Sequence, residues 1–89
     1  MYFLEYASQF KKDFKKITKR SVSDIIDVGR IISKLQNGES LEAKYSDHGL
    51  SGSWQGFRDC HIKPDLVLVY RVDGDCLQLA RIGSHSDLF

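Results

Sequence analysis

At 89 residues the chain has room for one domain and one modest core, which excludes a second domain or a deeply enclosed cofactor site. Apolar residues make up 42% and charged residues 28%, the balance of a folded protein, and no apolar run approaches the roughly 20 residues that span a bilayer. Net charge is +1 but uneven: Lys11, Lys12, Lys15, Lys16, Lys19 and Arg20 against Glu5 and Asp13 give residues 1–20 a charge of +4, leaving −3 for the remainder.

Residues 2–6 are aromatic and alternating, the pattern of a strand. Ser8 is placed to cap a helix on which Phe10, Phe14 and Ile17 recur at i, i+4, i+7, with lysines on the other faces. Ser21 or Ser23 caps a second helix; Asp24 and Asp27 lie in its first turns, where the helix dipole favours negative charge. Its apolar stripe is Ile25, Val28, Ile32 and Leu35, and Asn37-Gly38 stops it. Residues 38–53 read as a long polar loop, a length that often signals function. A strand is expected over 54–62, a turn at Lys63-Pro64-Asp65, and a buried central strand over 66–72. Asp73-Gly74-Asp75 makes a hairpin turn into a last strand over 76–82, with Leu77, Leu79 and Arg81 on one face. Residues 83–89 form the tail.

The order predicts an α+β domain: three antiparallel strands in a meander, joined by the first strand and covered on one face by a two-helix hairpin. The other face stays partly open, and the polar candidates collect around it. Trp54 and Tyr70 are expected in the core, and Arg58 and Asp59 as a structural pair. Cys60 and Cys76 show no metal-ligand spacing and are expected to stay reduced; no metal or cofactor is expected. Met1 to Glu5 lacks the basic and apolar regions of a signal peptide, so the expected location is cytoplasmic.

The chemistry-bearing residues are His48, His61 and His85, with Asp65, Arg58 and Arg81 close in sequence. Histidine exchanges protons near neutral pH, and an arginine fork matches a phosphate. Together they suit cutting RNA without a metal: the 2′-OH attacks, one group takes its proton, another protonates the 5′-oxygen, and cations hold the phosphorane. The basic first helix fits a polyanion or an acidic partner, or a plain solvated face.

Residues 47–65 read D-H-x-L-x-G-x-W-x-G-x-R-D-x-H-x-x-P-D, followed by Val69-Tyr70 and by Arg81-Ile82-Gly83-Ser84-His85-Ser86-Asp87-Leu88-Phe89. This pattern resembles the YafQ branch of the RelE toxin superfamily, closely in the C-terminal half and by element order in the helices. The resemblance implies a RelE-like β-α-α-β-β-β fold over residues 1–89. It also implies a type II toxin that cuts mRNA, usually in the ribosomal A site, and a DinJ- or RelB-like antitoxin that either covers the open sheet face or displaces the tail. The matching positions imply catalytic roles for His48, His61, Asp65, Arg81, His85 and Phe89. Leu66 stands where some relatives have tryptophan, so codon preference is expected to differ.

His85 is the expected acid, and His48, His61 or Asp65 the base, directly or by orienting a histidine. Arg81 is expected to hold the scissile phosphate and Phe89 to stack on a base. Lys11, Lys12, Lys15, Lys16, Lys19, Arg20 and Arg58 are expected RNA contacts, on mRNA or the ribosome. Activity should peak between about pH 6 and 8. A non-catalytic RNA-binding inhibitor of the same fold is the alternative, and a protein-interaction subunit a third.

Overall fold

The computed structural model describes all 89 residues. Strand β1 (Phe3–Tyr6) leads into helices α1 (Ser8–Ile17) and α2 (Val22–Gln36). A two-residue strand β2 (His48–Gly49) and the longer β3 (Arg58–Lys63), β4 (Leu66–Asp73) and β5 (Cys76–Gly83) follow, then a short helix α3 (His85–Leu88). The five strands form one sheet in the order β1-β5-β4-β3-β2. All pairs are antiparallel except β1 and β5, which run parallel from Phe3↔Cys76 to Tyr6↔Leu79.

Helix ends follow local chemistry. Ser21 accepts a hydrogen bond from the Asp24 N–H at 3.2 Å and caps α2. At its other end Gly38 adopts φ +75°, a left-handed turn that costs glycine little. The expected Ser8 cap is displaced by one residue: Ala7 holds the capping position without a side-chain bond, and Ser8 is already helical.

Leu66, Leu68 and Tyr70 of β4 pack toward α1 and α2 with Leu77, Leu79 and Ile82 of β5. Fully burying each aliphatic side chain contributes about 1.5–3 kcal/mol. Val67 and Val69 point to the opposite face, which is less open than its sequence suggests. Leu88 of α3 packs on them, with Leu50, Trp54 and Phe57 at the margin. β4 is therefore buried on both sides, which explains its unbroken apolar run.

Three local expectations change. Residues 52–54 form a 3-10 turn, so β3 starts only at Arg58; Trp54 packs edge-on against Phe57 at 5.1 Å instead of entering the main core. Arg58 and Asp59 are adjacent on a strand and point to opposite faces, so they do not pair; Arg58 binds Asp47 at 3.1 Å. Leu79 pairs with Tyr70 and Arg81 with Val69, leaving Ala80 as a bulge. The bulge resets the alternation, so Ile82 continues the Leu77–Leu79 face and Arg81 does not.

Candidate active site

Two rows of paired residues cross the sheet. One runs His48, Asp59, Val69, Arg81; the other, two residues along and on the same face, runs His61, Val67, Gly83. Gly83 leads directly through Ser84 to His85. The register therefore gathers His48, His61, Arg81 and the start of α3 at one end of the sheet, although they span nearly half the chain.

His48 is the most constrained of the histidines. The preceding Asp47 is clamped: Tyr70 Oη lies 2.7 Å from both of its carboxylate oxygens, and Arg58 Nε donates to it at 3.1 Å. Ser46 turns through the left-handed region (φ +49°) and presents its carbonyl 2.6 Å from His48 Nδ1. A contact with a carbonyl requires that nitrogen to carry the proton. Asp59 Oδ1 lies 3.2 Å from the same nitrogen but makes no geometrically proper hydrogen bond. The Nδ1–H therefore points at the carbonyl, and the buried carboxylate, 3% exposed, acts as a nearby negative charge. In the neutral ring Nε2 is left with its lone pair.

His61 is half-buried and lines a polar cleft of about 520 Å³ with Arg30, Lys44, Tyr45 and Lys63. His85 opens α3, and its ring lies 5.0 Å from that of Phe89 one turn on. Ser84 caps this turn by accepting from the Asp87 N–H at 3.2 Å, and Leu88 anchors it on Val67 and Val69. Both aromatic rings remain exposed to solvent.

Asp65 and Arg81 are engaged elsewhere. Arg20 grips both Asp65 oxygens, at 3.0 and 3.2 Å, and this bond holds the carboxyl below the usual aspartate range. Such a carboxylate is a weak base. It joins a chain of charges with Asp24, Lys63, Asp27 and Arg30 that ties the turn before β4 to α2. Arg81 directs Nε and Nη2 at the two oxygens of Asp13, at 2.7 and 3.0 Å.

The basic cluster of α1 divides. Lys16 and Arg20 line a cavity of about 300 Å³ with Arg81 and Ser84, and with Asp13, Asp65 and Asp87. Lys11 and Lys15 flank a separate, largely apolar groove between α1 and α2, lined by Tyr6, Phe10, Phe14 and Ile25. Lys12 and Lys19 are exposed. Cys60 and Cys76 are both free; burial, aided by Asp47 and Asp59, pushes the Cys60 thiol up to about 12, which keeps it an inert core group. No helix is long and apolar enough to cross a membrane.

Residues 2–89 match the model of the bacterial toxin of type II toxin–antitoxin system, YafQ. The Escherichia coli K12 protein named mRNA interferase toxin YafQ is 39% identical over 87 residues, covering 97% of this chain and 94% of that protein. A copper-bound mutant toxin from Helicobacter pylori is 44% identical with a TM-score of 0.92, each chain covered completely. In the present chain no three His, Cys, Asp or Glu side chains come together as a metal ligand set. In the E. coli DinJ–YafQ complex the matching chain is 38% identical with a TM-score of 0.88, covering 100% of this chain and 99% of that one.

Proposed function

Since the chain belongs to the YafQ family of bacterial type II toxins, we propose that it is an mRNA endoribonuclease that inhibits translation. The observation that carries this is the held imidazole of His48, in one cross-strand row with Arg81 and two rows, on the same sheet face, from His61 and the start of α3.

In the proposed reaction His48 Nε2 takes the proton from the RNA 2′-OH. The 2′-oxygen attacks the adjacent phosphorus, and the P–O5′ bond breaks to leave a 2′,3′-cyclic phosphate. His85, on the exposed face of α3, gives its proton to the departing 5′-oxygen. General acid and base groups of this kind contribute about 10²- to 10⁴-fold each. Arg81 donates to a non-bridging oxygen as charge builds there. Phe89 offers an exposed ring on which a base can stack. His61 lies in the cleft beside Lys44 and Arg30, suited to the neighbouring phosphates. Asp65, already neutralised by Arg20, holds the β3–β4 turn rather than acting as base.

The substrate is mRNA, presented in the A site of a translating ribosome. Lys16 and Arg20, beside Arg81, meet RNA phosphates, and the outlying lysines of α1 add salt-sensitive, sequence-independent contacts. The neutralising partner is a cognate antitoxin of DinJ type, and the pair acts in the cytoplasm.

The test is primer extension on a defined mRNA with and without programmed ribosomes, beside His85→Ala and His48→Ala. Cuts within codons that require ribosomes and vanish in both variants are expected. Cuts without ribosomes would remove the A-site requirement. Translation arrest with no cut RNA would leave a binding inhibitor in place of a nuclease.

A further inference from the structure

Helix α1 carries one acid among its cations, and that acid is buried. Asp13 is 3% exposed and lies between Phe10 and Ile17 on the face turned to the sheet. Its place depends on the end of β1. That strand pairs β5 only as far as Leu79, so the edge of β5 beyond this point has no neighbouring strand. Asp13 fills the gap and accepts from the Ile82 N–H at 3.2 Å and from Gln9 Nε2 at 3.0 Å. Its remaining capacity goes to Arg81, in a two-point contact at 2.7 and 3.0 Å.

An anchor for the β5 edge needs only an acceptor. A neutral amide oxygen would supply that. The two-point grip does more, because it fixes the plane of the guanidinium. Nε and Nη2 are taken up by the carboxylate. Nη1 makes no hydrogen bond within the chain, and Arg81 lines the cavity shared with Lys16, Arg20 and Ser84. A long side chain at a bulge is thereby reduced to one orientation before substrate arrives.

We propose that Asp13 is a positioning residue for Arg81: it holds the guanidinium by Nε and Nη2 so that Nη1 meets a non-bridging oxygen of the scissile phosphate. This rests on the nuclease function proposed above. Preorganised donors act mainly on the chemical step, and misplacement by about an ångström costs on the order of 10²-fold.

The experiment compares single-turnover cutting of ribosome-bound mRNA by the wild-type chain, Asp13→Asn, Arg81→Ala and the double variant, each shown folded by circular dichroism. Asp13→Asn should lower the cleavage rate by roughly 10- to 100-fold while ribosome affinity stays within about twofold. Arg81→Ala should lose more, and the double variant should match Arg81→Ala alone. Added guanidinium at millimolar level should partly restore Arg81→Ala, where the carboxylate cradle remains, and should not restore the double variant.

Cutting by Asp13→Asn at the wild-type rate would overturn the proposal. So would losses that simply add, or equal rescue of the single and double variants. If Asp13→Asn fails to fold, rescue of Arg81→Ala decides: saturable restoration by guanidinium and not by ammonium supports the cradle, and no restoration refutes it. A wild-type chain that cuts nothing sinks the nuclease function and the positioning role with it.

Discussion

Single residues carry most of what is specific here, and the aspartates show how. Asp47, Asp59 and Asp13 resemble one another in sequence, yet each meets the candidate site in a different way. Asp47, clamped by Arg58 and Tyr70, anchors the chain just before His48; Asp59 lies beside the His48 Nδ1; and Asp13 grips Arg81. The three histidines and Arg81 were identifiable as candidates from residue type and spacing. Their holders were not. Asp13 reads as one acid in a basic helix, and its burial follows only from where β1 ends. One signal was present: Asp13 falls at i+3 from Phe10 and i−4 from Ile17, on the apolar face. Tyr70 was expected in the core and lies there, but its hydroxyl is the part that reaches toward the site. Replacing Tyr70 with Phe should cost about 1–2 kcal/mol in urea unfolding, because Asp47 loses a donor. Cutting should fall as the His48 loop slackens. A variant that loses stability but cuts at the full rate would show that the Asp47 clamp does not position His48.

At the scale of elements, hydrophobic period located both helices and the strands to within a few residues. It failed where pairing departs from regularity. The bulge at Ala80 swaps which of Arg81 and Ile82 faces the helices, and nothing in the local pattern marks it. The two-residue β2 is too short for any period, and the helical turn α3 is too short to propagate alone. α3 exists because Ser84 caps it and Leu88 has Val67 and Val69 to cover. Leu88→Ala should therefore cost about 2 kcal/mol or more in urea unfolding. It should reduce cutting further than that loss explains, because His85 and Phe89 leave with the turn. Amide exchange across residues 84–89 would report the release, and unchanged protection there would refute the anchoring role.

For the molecule as a whole, the α+β class and the helix-covered sheet followed from element order. The parallel pairing of β1 with β5 did not, since adjacency of distant strands is a property of the packed chain. That pairing creates the gap filled by Asp13, and global stability should register it in acid. Burial alone would raise the Asp13 pKa; bonds from Arg81, Gln9 and the Ile82 N–H outweigh it and leave the group below its ordinary value of 3.8. A depressed carboxyl contributes stability that is fully present above that value and lost as pH falls through the folded-state pKa. Urea unfolding from pH 6 to pH 2 should therefore lose stability below about pH 4. Asp13→Asn should start lower and show a shallower decline, and an identical decline in both chains would refute the link.

The strand order also has a consequence in time. During synthesis β1 and α1 emerge well before β5, the strand that β1 pairs with. Until then Asp13 has no Arg81 and no Ile82 amide to receive. Pairing across so long a stretch of chain is slow to form. The candidate site thus depends on β1 meeting β5, and on a helical turn translated after both. A chain in which β5 has yet to join β1 holds the acid of α1 without its arginine, so the pairing of those two strands is the step that assembles this part of the site.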